Sequence, residues 1–128
     1  MSSSSIFSFL LYGILLWFLY TRFAPVRGLK NLKADDFKNR QERSSNKILI
    51  DVREPNEYKS GFIPNALNIP LSQFKGRIGE FPKDKEVYLY CRSGMRSKQA
   101  ARILHKNGIS NLANLQGGIS AWSGKITK

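Results

Sequence analysis

Val87-Tyr88-Leu89-Tyr90-Cys91-Arg92-Ser93-Gly94-Met95-Arg96-Ser97 passes from an apolar run through the chain's one cysteine into a helix-forming run, Lys98-Gln99-Ala100-Ala101-Arg102-Ile103-Leu104. A short apolar run of this kind reads as a buried strand, and the segment after Arg96 reads as a helix. Cys91 therefore lies at the carboxyl end of a strand, the edge of an open α/β sheet where ligands bind.

The residue types around Cys91 suit a reactive thiol. Cysteine ionises more readily near a helix N-terminus or beside arginine, and both conditions meet here. Four residues separate Cys91 from Arg96. The connection must curl tightly, so its amide N–H groups can turn inward as an anion cradle, with Gly94 free to take a backbone conformation that other residues resist. A lone free cysteine is more often a small buried hydrophobe. Arg92 and Arg96 argue against that reading, because a purely structural thiol gains nothing from two neighbouring charges that would have to be desolvated.

Tyr90 to Ser97 resembles the active-site loop of single-domain rhodaneses, the thiosulfate sulfurtransferase family. Two further stretches resemble the same family: Leu49-Ile50-Asp51-Val52-Arg53-Glu54-Pro55-Asn56-Glu57-Tyr58 with Gly61-Phe62-Ile63-Pro64-Asn65-Ala66, and Leu115-Gln116-Gly117-Gly118-Ile119-Ser120-Ala121-Trp122. The three occur in the family's order and cover most of the chain after about residue 32. The resemblance implies a three-layer α/β/α rhodanese-like domain with a parallel sheet. It also implies Cys91 as nucleophile, with Arg92, Ser93, Gly94, Met95 and Arg96 as the substrate-binding loop. The family usually has His where Phe62 stands and Gly where Asn65 stands. Neither difference removes a nucleophile, and Asn tolerates positive φ better than most residues. The missing His leaves no imidazole near the motif.

Working outward, Asp51 and Arg53 fall at the end of a strand expected beside the Cys91 strand, where they can pair and brace the loops. Asp51, Glu54 and Glu57 read as structural groups, not as an acid–base pair. Pro55 opens a short helix that Gly61 closes. Ala34 to about Arg43 reads as an amphipathic helix without a capping side chain at Lys33. Ser72 is expected to cap another, whose Phe74, Ile78 and Phe81 form a core stripe. His105 falls in the last turn of the helix after Ser97 and reads as a solvated residue. Asn111 to Leu115 reads as a final strand, and Gly117-Gly118 as a turn into a short helix that buries Trp122.

The chain has 128 residues and a net charge of +12 at pH 7. One small domain is expected of the last hundred or so, large enough to bury a core without disulfides. A single cysteine excludes an internal disulfide, and with one histidine no Cys/His zinc site can be assembled. No metal and no cofactor are expected, and an unpaired thiol suits a reducing compartment. The basic residues are scattered through every segment, with no nucleic-acid-binding signature, so nucleic acid is not an expected partner. An anionic membrane surface accounts for the charge better.

Ile6 to Tyr20 carries no charge, and its uncharged flanks extend it toward the length of a membrane span. Trp17 and Tyr20 sit where an interfacial aromatic belt would lie. A signal peptide would want a basic residue before the run and a small-x-small site after it, and neither is present. The organisation expected is a transmembrane anchor over 1–23, a basic linker over 24–33, and the rhodanese-like domain over 34–128. Arg22, Arg27, Lys30 and Lys33 follow the span and none precedes it, which places the domain in the cytoplasm as part of a single-pass protein of the cell membrane.

Sulfur transfer is the expected activity. A small sulfur donor such as thiosulfate would pass sulfane sulfur through a Cys91 persulfide to a thiol or cyanide acceptor, with the protein a monomer. Phosphatase loops of related fold place five residues between Cys and Arg, against four here, so a phosphatase or arsenate reductase is the weaker enzyme reading. A noncatalytic membrane-tethered binding module is the alternative from another class. Its usual sign, loss of the cysteine or the loop arginine, is absent.

Overall fold

The computed structural model describes residues 2–23, 26 and 28–128. A long N-terminal helix, α1 (Ser3–Phe23), precedes five strands and three further helices: β1 (Leu29–Leu32), α2 (Ala34–Arg43), β2 (Lys47–Asp51), α3 (Pro55–Lys59), β3 (Leu67–Asn68), β4 (Glu86–Tyr90), α4 (Met95–Lys106) and β5 (Leu112–Leu115). Short 3-10 segments cover Leu71–Gln73, Lys75–Glu80 and Gly118–Ala121. The strands form one sheet in the order β1-β5-β4-β2-β3, all neighbours parallel.

Side-chain alternation along β4 divides the interior into two layers, as expected of a parallel sheet covered on both faces. Val87, Leu89 and Cys91 pack with Phe74, Ala100, Ala101 and Leu104 on the α4 side. Tyr88 and Tyr90 pack with Phe37, Leu49, Ile63 and Leu115 on the α2 side. The result is the α/β/α sandwich read from the sequence. Phe37 meets the edges of both Tyr88, at 5.4 Å between ring centroids, and Trp122, at 6.3 Å. Trp122 is half-buried, so its burial is less complete than expected.

Two local expectations change. Residues 29–32, expected within the linker, are the edge strand β1, paired in register with Leu112–Leu115. Val26 is also part of the core, so the folded unit reaches further toward α1 than 34–128. Leu29-Lys30-Asn31-Leu32 has little strand character alone, and the pairing surface of β5 supplies what it lacks. The helix expected after Ser72 is instead two 3-10 turns. Gly76 and Gly79 interrupt it, each costing an α-helix about 1 kcal/mol relative to alanine. Phe74 and Phe81 are nevertheless buried and in contact, their rings tilted with centroids 5.0 Å apart, while the Ser72 hydroxyl donates to Glu54 Oε1 at 3.1 Å instead of capping a helix.

The α1 helix is exposed from Ile6 to Thr21 and contains a 19-residue stretch, Ser3–Thr21, long and apolar enough to cross a membrane.

Candidate active site

β4 ends at Tyr90 and α4 begins at Met95, two residues before the expected start at Ser97, so four residues connect them. Cys91 is fully buried at the base of this connection. Gly94 has φ +103 and directs its N–H to Cys91 Sγ at 3.0 Å. A Cβ on Gly94 would lie 3.4 Å from Gly117 N and 3.7 Å from Leu115 O, so glycine is favoured by backbone geometry and by the closeness of the neighbouring turn. Sγ has one amide donor among the described residues, where the sequence suggested a cradle of several.

A second turn holds the loop from behind. Ile119 N–H donates to Cys91 O at 2.9 Å, and Ser120 N–H donates to Arg92 O at 3.2 Å. These are amides of the 3-10 turn that follows Gly117-Gly118. Gly118 has φ +63 and presses directly on the Cys91-Arg92 peptide: a Cβ there would lie 2.4 Å from Arg92 O. The Gly-Gly pair is thus a contact surface for the loop as well as a turn.

On the α4 side, Ser97 Oγ lies 3.5 Å from Cys91 Sγ. The same oxygen lies 3.1 Å from Gly94 O and 2.5 Å from Asn114 Oδ1. Asn114 Nδ2 in turn donates to Asn31 Oδ1 on β1 at 2.9 Å. Ser97 has one hydroxyl hydrogen for these acceptors, so its direction is linked to whether the sulfur is thiol or thiolate. The sequence reading missed Ser97, Asn114 and Asn31. Asn114 had a visible signal: it is the one polar side chain in the buried strand Leu112-Ala113-Asn114-Leu115, and a buried amide needs partners.

The two loop arginines occupy different environments. Arg92 is exposed and makes no ion pair among the described residues. Arg96 is half-buried and forked onto Glu57 of α3, Nη1 to Oε1 at 2.6 Å and Nη2 to Oε2 at 2.9 Å. That bond draws the Glu57 carboxyl down to about 2, with burial opposing it. It also raises Arg96 above the ordinary guanidinium value, again against burial. Glu57, read as a structural group, is therefore the partner that positions a loop arginine. Ser93 and Met95 are exposed at the rim, and Gly94 is buried beneath them.

Asp51 and Arg53 do pair, at the carboxyl end of β2 beside β4. Arg53 N and Nε donate to Asp51 Oδ1 at 2.9 and 3.0 Å, Nη2 donates to Oδ2 at 2.7 Å, and the same nitrogen donates to Gly61 O at 2.6 Å. Burial works against the Arg53 charge, but the Asp51 carboxylate outweighs it and holds the guanidinium above its ordinary value. The pair ties the β2 end to the turn at Gly61. His105 is in the last turn of α4, whose 12 residues set it about 15 Å along the axis from the loop.

The loop, the Gly-Gly turn and the β2 end converge at the carboxyl edge of one parallel sheet, and the profile of the rhodanese-like domain matches residues 33–125. The chain belongs to the rhodanese-like domain family. Relatives of this rhodanese-like chain include YqhL of Bacillus subtilis, an uncharacterized protein 48% identical over 100 residues that cover 78% of this chain and 77% of the relative. A protein of Allochromatium vinosum named as a sulfurtransferase is 38% identical over 95 residues, covering 74% of this chain and 89% of that one. Among solved structures, a rhodanese-like domain protein from Staphylococcus aureus is 33% identical with a TM-score of 0.67, covering 75% of this chain and 93% of its own. The family and these relatives support a rhodanese-type enzyme that transfers sulfur.

Proposed function

We propose that this protein is a membrane-anchored rhodanese that moves sulfane sulfur from a thiosulfate-like donor to a thiol or cyanide acceptor through a persulfide on Cys91. The observation that carries the reading is the seat of Cys91: a buried sulfur under a four-residue loop, facing the Gly94 amide and the start of α4.

In the first step the Cys91 thiolate attacks the outer sulfur of the donor. A bond forms between Sγ and that sulfur, the donor's own S–S bond breaks, and sulfite leaves with the electron pair. In the second step an acceptor thiolate or cyanide attacks the outer sulfur, and Cys91 is released as thiolate. Nothing is oxidised or reduced overall beyond the exchange itself. Arg92, free at the loop rim, meets the donor's anionic part, with Ser93 and Met95 beside it. Arg96, held by Glu57, contributes fixed positive charge and loop shape more than a mobile clamp. The Gly94 amide holds sulfur anion, and Ser97 adjusts its hydroxyl to the state of the thiol. Asp51 and Arg53 support the loop from the neighbouring strand.

The α1 helix is read as the anchor, with the domain on the cytoplasmic side because the basic residues follow the span. Thiosulfate treatment followed by intact-protein mass spectrometry tests the chemistry. One added sulfur atom on the wild-type chain, none on Cys91→Ser, and its loss on addition of cyanide are expected. An unmodified wild-type chain would leave the noncatalytic binding module as the better reading.

A further inference from the structure

The parallel sheet has two unlike edges. Gly28, Asn111, Glu86 and Lys47 lie at or just before the strand starts at one edge, while Cys91 and Gln116 follow strand ends at the other. The chain arrives from α1 at the first of these, the amino edge. Gly28 is set against α4's last turn: a Cβ there would lie 3.6 Å from Ser110 O and 3.8 Å from His105 Cδ2. Val26 already belongs to the core. Three chain steps join Phe23 to Val26 and span at most about 11 Å, so the amino edge is held close to the end of α1.

Basic side chains occur at both edges, Arg53, Arg92 and Arg96 at the carboxyl edge beside its carboxylates, and a separate basic cluster at the amino edge. Arg43 closes α2, Lys106 closes α4, and Lys83 and Lys85 precede β4, all at the amino edge. Lys83 reaches across to the turn after α4, its Nζ 3.6 Å from a Cβ built on Gly108. Glu42 and Asp84 are exposed carboxylates there, Glu80 shortly before β4 is exposed and ion-paired with Arg77, and Glu86 is engaged by Ser44 and Tyr88. Asp35, Asp36, Asp51, Glu54 and Glu57 all belong to the carboxyl edge instead.

We propose that the basic amino edge rests on an anionic lipid surface, so that the Cys91 loop opens away from the bilayer toward a water-borne donor and acceptor. This rests on α1 being the membrane span. Continuity with the span fixes which edge is near the lipid, and the sign of its charge fixes the kind of lipid. Strands of four or five residues put the loop roughly 15 Å beyond that edge, further than the screening length of about 8 Å at physiological salt. An anionic donor would therefore reach Arg92 without repulsion from the membrane that holds the protein. Each lysine or arginine held at an anionic surface multiplies the docked population by about fivefold.

The test uses the full chain in vesicles of phosphatidylcholine, with or without phosphatidylglycerol, and lipids spin-labelled at the headgroup. A fluorophore is placed on Asn111→Cys or Gln116→Cys in the Cys91→Ser background, the two flanks of β5. In anionic vesicles the Asn111 probe should be quenched several-fold more than the Gln116 probe. High salt, or Arg43→Glu with Lys83→Glu and Lys106→Glu, should lower the docked-to-free ratio at least tenfold and shrink the difference. Equal quenching, stronger quenching at Gln116, or indifference to anionic lipid would overturn the proposal. Flotation with neutral vesicles is scored separately: a chain that stays at the bottom removes the anchor itself, and the orientation with it.

Discussion

Gly118→Ala tests whether the Gly-Gly turn shapes the catalytic loop. The added Cβ would lie 2.4 Å from Arg92 O and 2.5 Å from Cys91 O. Carbon and oxygen in close contact sit about 3.3 Å apart, so the turn and the loop must separate by about 0.9 Å. Alanine at φ +63 also costs about 1–2 kcal/mol, and overpacking of this kind about 1–3 kcal/mol. The Ile119 and Ser120 hydrogen bonds to the loop carbonyls lengthen as the segments part. Since these costs overlap, about 3 kcal/mol of stability should be lost, out of a total of about 5–15 kcal/mol for a typical domain. A reacting group displaced by about 1 Å loses on the order of 100-fold in rate. Urea denaturation measures the first quantity, and the rate of sulfur transfer by the fraction still folded measures the second. Gly76→Ala is the comparison, because a Cβ there meets nothing within 4 Å. Its stability should be unchanged or raised by up to about 1 kcal/mol, not lowered. If Gly118→Ala matched Gly76→Ala in both measurements, the argument that this turn sets the loop's position would be wrong.

Arg53→Ala should destabilise by about 3–5 kcal/mol in chemical denaturation, since it leaves the buried Asp51 carboxylate without its partner. Asp51→Asn together with Arg53→Met should recover much of that loss. Glu57→Gln should cost about 1 kcal/mol at neutral pH, a modest figure because both side chains of the pair are about one-third exposed. Glu57 is depressed to about 2 from an ordinary 4.5, so its contribution is fully present above about pH 4.5 and fades as pH falls toward 2. Denaturation at stepped pH should show the gap between wild type and Glu57→Gln closing across that window. A gap that widened on acidification would contradict the assignment. Ser97→Ala leaves Asn114 Oδ1 without its hydroxyl partner, worth about 1–3 kcal/mol of stability, and should slow alkylation of Cys91 more than Ser120→Ala does.

Local pattern was sufficient for much of this protein. The apolar run Val87 to Tyr90, the four-residue spacing to Arg96 and the periodic run from Lys98 required a strand, a tight loop and a helix in that order, since each is set by residues close in the chain. Asp51 and Arg53, two residues apart at a strand end, could be paired for the same reason. The uncharged run before Tyr20 announced a long apolar helix. What the sequence did not reveal lies in contacts between distant segments. β1 is a strand because β5 pairs with it, across roughly eighty residues. Arg96 is fixed by Glu57, 39 residues away, and Asn114 is oriented by Asn31, 83 residues away. The closeness of Gly118 to the Cys91-Arg92 peptide likewise exists only once β4 and β5 lie side by side. Local propensity constrains the chain over one turn or one strand; which side chains meet across the sheet depends on strand order and register, and those are settled when the two faces of the sheet are buried together.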